Sequence, residues 1–158
     1  MTERPSRAAA EHSRDLMVEK YQNCNGSPRL LIVEDEPLIL DLMADMIRAL
    51  GYAVTGTADT LSSAHRELCK KNFDAVLLDL GIDGQCGPKI ADQLLELRVP
   101  FAFVTGYDGP FEERHASVPL LQKPFTMAQL ASLLEKLSGR PGAVHGKAVF
   151  DGGTVVFI

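Results

Sequence analysis

Four places in this chain put reactive side chains directly behind short apolar runs. Glu34-Asp35 follows Leu30-Leu31-Ile32-Val33, Asp79 follows Ala75-Val76-Leu77-Leu78, Thr105 follows Phe101-Ala102-Phe103-Val104, and Lys123 lies just beyond Leu120-Leu121. If each run is a strand of one parallel α/β sheet, all four points share an edge. That edge lies outside the carboxyl ends of the strands, where such sheets bind ligands. Three carboxylates, a hydroxyl and an ammonium gathered there describe a site for a divalent cation and a phosphoryl group. Close carboxylates repel unless a cation sits among them, and Mg²⁺, a hard ion with oxygen ligands, meets that need; Mn²⁺ is an acceptable substitute. Asp79 is the candidate nucleophile, because a carboxylate can form an acyl phosphate. Lys123 offers a point positive charge to a phosphoryl oxygen. The Thr105 hydroxyl can donate to another.

Taken singly, each residue has a plainer reading. An Asp behind a strand is ordinarily a turn residue or helix cap. Glu34-Asp35 before a helix favours its N-terminal dipole. Thr105-Gly106 reads as a turn and Lys123-Pro124 as a solvated loop. Their coincidence on successive strand ends is what points to chemistry.

The elements that must position these groups follow from periodicity. Leu30–Val33 is a continuous apolar run, as in a strand covered on both faces. Pro37 to Leu50 has helical spacing through Leu38, Leu42, Ile47 and Leu50, and Gly51 stops it. Tyr52 to Thr57 reads as a strand, and Asp59 as the cap of a helix through Leu61, Ala64, Leu68 and Cys69. Ala75–Leu78 is the third strand, residues 81–87 a loop, and Pro88 to Leu97 a helix. Phe101–Val104 is the fourth strand, Pro110 to His115 a short helix, and Leu120-Leu121 a minimal fifth strand. A last helix starts at Thr126, carries Leu130, Leu133, Leu134 and Leu137, and ends at Gly139. Five such alternations predict an α/β fold, a doubly wound five-stranded parallel sheet of order 2-1-3-4-5 with short flanking tails. That order sets the first and third strands side by side, about 4.8 Å apart, and brings Asp35 to Asp79. The domain is expected over residues 29–138. A polar leader covers 1–28, with helical potential over Ser6 to Gln22. A tail covers 139–158, where Lys147–Phe150 and Thr154–Ile158 flank Asp151-Gly152-Gly153 as a β-hairpin.

Composition narrows the classes. The chain has 158 residues, 46% of them hydrophobic, enough for one domain with a core. A net charge of −5 provides no basic footprint, so direct nucleic-acid binding is not expected. Cys24, Cys69 and Cys86 form no C-x-x-C pair and suit a reducing cytoplasm. No apolar run approaches the roughly 20 residues of a membrane span. His12, His65, His115 and His145 are scattered and read as surface or packing residues.

Residues 29–137 resemble the response-regulator receiver domain of two-component signalling, a flavodoxin/CheY-like fold. The matching pieces are LLIVEDEP with its acidic pair, AVLLDL with Asp79, FVTG with Thr105, LQKPF with Lys123, and Gly87 at the end of the loop after the acceptor. The resemblance implies phosphorylation of Asp79 by a histidine kinase or histidine phosphotransfer protein. It implies Mg²⁺ bound by Asp35, Asp79 and the Gly81 carbonyl, with Glu34 acting through water, and a cis Lys123-Pro124 peptide. The chain would catalyse its own phosphorylation and dephosphorylation without turning over a separate substrate, and would signal to an unknown downstream protein; a homodimer is open. Receivers usually carry an aromatic switch residue where this chain has Leu120, and the stretch Pro100 to Tyr107 resembles the FATGUY subgroup, which lacks it. Asp83 stands where many receivers have proline, which predicts a less rigid loop. Without the aromatic, the segment Tyr107 to Ser117 is expected to order on phosphorylation. Two alternatives stand beside this single-domain response regulator. One is a receiver-like binding module that needs no phosphorylation. The other is an aspartyl-phosphate phosphatase, disfavoured because the general-acid position two residues after Asp79 is Gly81.

Overall fold

The computed structural model describes residues 26–107, 109–139, 148–151 and 154–157. The leader expected over 1–28 lies outside them except for its last three residues. Five strands, β1 (Arg29–Val33), β2 (Ala53–Ala58), β3 (Ala75–Leu78), β4 (Phe101–Thr105) and β5 (Leu120–Gln122), form one parallel sheet in the order β2-β1-β3-β4-β5. The helices are α1 (Pro37–Ala49), α2 (Leu61–Lys70), α3 (Gly87–Glu96) and α4 (Met127–Ser138). A separate antiparallel pair, β6 (Ala148–Asp151) and β7 (Thr154–Phe157), forms the hairpin in the tail.

The doubly wound architecture follows from residue alternation along the strands. Leu30 and Ile32 face one core, shared with Met43 and Ile47 of α1 and Leu130 and Leu134 of α4. Leu31 and Val33 face the other, shared with Ala64 and Leu68 of α2 and Ile90 and Leu94 of α3. The central strands are therefore apolar over Leu30–Val33, Ala75–Leu78 and Phe101–Val104, because both of their faces are covered. Among the described residues no helix is long and apolar enough to cross a membrane.

Four local expectations are corrected. The cap of α2 is Thr60, not Asp59: the Thr60 hydroxyl accepts the Ser63 N–H at 3.1 Å, and Ser63 answers the Thr60 N–H at 3.0 Å. This is a reciprocal capping box. Asp59 instead accepts the Ser63 hydroxyl. The stretch 81–87 is not plain loop but contains a helical turn, Ile82–Gln85, distorted by left-handed Asp83 and Gly84. Asp83 is also not a loosening residue. Its N–H donates to Asp35 Oδ2 at 3.3 Å and its Oδ2 accepts the Leu61 N–H at 3.2 Å. Its φ of 49° is one that proline, fixed near −65°, cannot adopt. Finally, Pro110 to His115 forms only a 3₁₀ turn, Glu113–His115. Pro110, Pro119 and Gly109 leave too few helix-forming residues for more.

Candidate functional site

The parallel register decides which side chains meet. Val33 pairs with Leu78, so Glu34 and Asp79 emerge together from β1 and β3. The Asp79 N–H donates to Val33 O at 2.9 Å, extending the ladder by one residue. Thr105 pairs with Gln122, and the Lys123 N–H donates to Thr105 O at 2.9 Å, which delivers Lys123 to the same edge. The Lys123-Pro124 peptide is cis. All the residues expected at the site, Glu34, Asp35, Asp79, Gly81, Thr105 and Lys123, thus lie at or directly beyond the carboxyl ends of β1, β3, β4 and β5.

One carboxylate oxygen from each of Glu34, Asp35 and Asp79 lies within 4.8 Å of the others. Glu34 is 2% exposed, Asp79 9% and Thr105 1%, whereas Asp35 is open to solvent. The Lys123 ammonium spans two of the acids. It donates to Glu34 Oε2 and, at 3.2 Å, to Asp79 Oδ2. The Gly81 N–H donates to Asp79 Oδ1 at 3.0 Å, and the Glu36 N–H to Glu34 Oε1 at 3.1 Å. The Thr105 hydroxyl accepts the Tyr107 N–H at 3.2 Å.

Burial is the largest influence on Glu34 and raises its carboxyl above the usual range, although the Lys123 hydrogen bond and the Glu36 N–H oppose it. For Lys123, burial works to lower the ammonium. The Glu34 hydrogen bond and the charges of Asp79 and Glu34 together outweigh it and hold the group above its ordinary value. The Lys123 ammonium thus faces a cluster of three carboxyl groups whose donor set is all oxygen, which is what a hard divalent cation selects. The residues present fit Mg²⁺ or Mn²⁺.

Two features were not legible in the sequence. Glu34, the more buried acid, is the one bonded to Lys123, although the spacing of adjacent acids cannot rank them. His115, scattered among other histidines in the sequence, is a packing residue and touches Asp92 at 2.8 Å. No sequence signal links two residues 23 positions apart on different elements.

Comparison with known proteins agrees with this geometry. The response regulator receiver domain family matches residues 30–135. The phyllosphere-induced regulator PhyR of Methylorubrum extorquens is 32% identical over 130 residues, covering 78% of this chain but only 49% of that protein. The chain thus spans about half the length of this relative. Two solved structures are similar over nearly their whole length. The receiver domain of PhyR from Erythrobacter litoralis is 31% identical with a TM-score of 0.65, covering 75% of this chain and 97% of that one. The BeF3-activated conformation of SdrG from Pseudomonas melonis is 36% identical with a TM-score of 0.62, covering 73% of this chain and 99% of that one.

Proposed function

Because this chain belongs to the response regulator receiver domain family, we propose that it is a Mg²⁺-dependent phosphorylation switch with Asp79 as the acceptor. The observation that carries this reading is the Lys123 ammonium, bonded to both Glu34 and Asp79 inside a cluster of three acids. The Asp79 carboxylate attacks phosphorus as a nucleophile that needs no base, and an O–P bond forms as the donor's P–N bond breaks. Lys123 holds one equatorial phosphoryl oxygen and the Thr105 hydroxyl takes another, so charge developing in flight meets preset partners. Glu34, Asp35, Asp79 and the Gly81 carbonyl would hold the Mg²⁺, which supplies the positive charge that neutralises the remaining phosphoryl oxygens. Glu34 contributes mainly by orienting Lys123 and through water. No separate substrate is turned over.

The donor is a histidine kinase or histidine phosphotransfer protein, a cytoplasmic setting goes with such a donor, and the output is a protein contact. Membership of the FATGUY subgroup is part of the proposal, supported by the exposed Leu120 on β5. Acetyl phosphate with Mg²⁺, read on Phos-tag gels, tests the reading. Wild type should shift, Asp79→Asn should not, and chelation should abolish the shift. Equal labelling of wild type and Asp79→Asn would move the acceptor elsewhere. No labelling of either would favour a binding module that needs no phosphate.

A further inference from the structure

We propose that Asp92 on α3 is a positioning residue that anchors the segment after Thr105. Its effect is that the change on phosphorylation reaches Gly106 and Tyr107 but stops at Phe111. The inference rests on the phosphoryl-switch reading above and goes beyond it by saying where the motion ends.

The two sides of Phe111 differ in how they are held. On the near side, Tyr107 is tied by its N–H to the Thr105 hydroxyl, and its ring hydroxyl only reaches Pro110 O at 3.5 Å. Tyr107 is 41% exposed, and nothing lies within 4 Å of where a Gly106 Cβ would stand. A Thr105 hydroxyl drawn to a phosphoryl oxygen turns its lone pairs away from the Tyr107 N–H. That tie is then lost, and Gly106 supplies the backbone freedom to follow.

On the far side the chain is locked. Phe111 stacks on buried Phe103 with ring centroids 5.9 Å apart and planes at 17°. His115, 3% exposed, meets Phe103 edge-on at 5.8 Å. Its Nε2 bonds Asp92 Oδ1 at 2.8 Å, while Arg114 Nη1 takes Asp92 Oδ2 at 3.1 Å. Both oxygens of one carboxylate are thus spent on this segment. Asp92 itself sits on a rigid helix between Ala91 and Leu94, both fully buried. Three backbone bonds close the turn: His115 N–H to Glu112 O, Ala116 N–H to Glu113 O, and Val118 N–H to His115 O. The Tyr107 ring meets Phe111 edge-on at 5.8 Å and 89°, which makes Phe111 the joint between the free side and the fixed one. This departs from the expectation that 107–117 orders on phosphorylation: the part from Phe111 onward is already held without a phosphoryl group, and Tyr107 is the aromatic that is released and changes its exposure.

Amide hydrogen exchange by NMR, with Mg²⁺ and with or without beryllofluoride, tests this in wild type and Asp92→Ala. The Asp92 side chain is 29% exposed, so truncating it opens no core cavity. In wild type, beryllofluoride should change the Tyr107 amide while those of His115, Ala116 and Val118 change by less than about twofold. Losing the partner of a buried polar group should speed the latter three by about tenfold or more in Asp92→Ala without beryllofluoride. Beryllofluoride should then alter them as well. The proposal is overturned if beryllofluoride moves these amides in wild type, or if Asp92→Ala leaves them protected. It is also overturned if Asp92→Ala speeds them but leaves their response to beryllofluoride nil, which is what a merely structural contact would do. If beryllofluoride changes nothing in wild type relative to Asp79→Asn, the phosphoryl reading itself fails. The comparison without beryllofluoride still decides whether Asp92 is the anchor.

Discussion

Replacing Gly87 by alanine should lower stability and loosen the site together. Gly87 begins α3 directly against the chain that leaves β3. A Cβ there would stand 2.4 Å from Leu80 Cα, 2.6 Å from Leu80 O and 2.8 Å from Asp79 O. Nonbonded carbon normally rests about 3.5–4.0 Å from its neighbours, so the start of α3 must recede by about 1 Å. All three neighbours are backbone atoms, and none can rotate aside. Overpacking against side chains costs about 1–3 kcal/mol, and a fixed backbone puts this case at the upper end, about 3 kcal/mol. The better helix propensity of alanine offsets at most about 1 kcal/mol, leaving a net loss of about 2 kcal/mol. At about 4 °C per kcal/mol, where the ranges for domains of about 60–100 and about 150–250 residues meet, the melting temperature should drop by about 8 °C. The strained contact presses on the backbone of Asp79 and Leu80, so Mg²⁺ affinity should fall too. Gly106→Ala is the control. Nothing lies within 4 Å of its added methyl, and it should be neutral or stabilise by about 0.4–1 kcal/mol. Urea unfolding and Mg²⁺ titration measure both effects. A Gly87→Ala protein within about 0.5 kcal/mol of wild type, with unchanged Mg²⁺ affinity, would refute the steric reasoning.

Asp35→Ala should weaken Mg²⁺ binding more than Glu34→Ala, since Asp35 faces solvent and Glu34 is occupied by Lys123; a calorimetric titration with the reverse ranking would show that the pair is assigned the wrong way round. Lys123→Ala should cost about 3–5 kcal/mol without divalent cation, because it leaves Glu34 buried beside Asp79 with no counter-charge, and saturating Mg²⁺ should recover part of that in urea unfolding. The pH dependence has a definite sign. Folding raises the Lys123 pKa, so its contribution is full below the unfolded value and is lost as pH rises through the folded one; Lys123→Ala should therefore lack that alkaline loss of stability. Thr60→Ala should cost about 1 kcal/mol through the lost cap of α2 and leave Mg²⁺ affinity unchanged, because the capping box lies at the start of α2 and none of its groups reaches the three acids.

How much was legible in the sequence follows from the range of each signal. The continuous apolar runs of β1, β3 and β4 and the helical spacing of α4 are local patterns, and each run carried its reactive residue at a fixed offset behind it; in α1 two of the four periodic leucine and isoleucine positions, Leu38 and Leu42, are exposed, and Met43, Ala44 and Ile47 face the core. Strand alternation with right-handed crossovers then left one natural order, and that order alone brings Glu34, Asp35, Asp79, Thr105 and Lys123 to one edge. Gly51 and Gly139 marked helix ends because their left-handed conformations, φ of 85° and 65°, suit glycine best. What only the tertiary structure decided depends on distances between elements. Asp59 and Thr60 are both competent caps, and the reach of Ser63 selected Thr60. Adjacent acids differ in burial because strand direction turns one inward, which gave Glu34 to Lys123 and left Asp35 outside. Asp83 gained its rigidity from Asp35 and Leu61, each more than twenty positions away. His115 found Asp92 only because Phe103 holds one segment against the helix that carries the other, and periodicity within either segment contains no record of that contact.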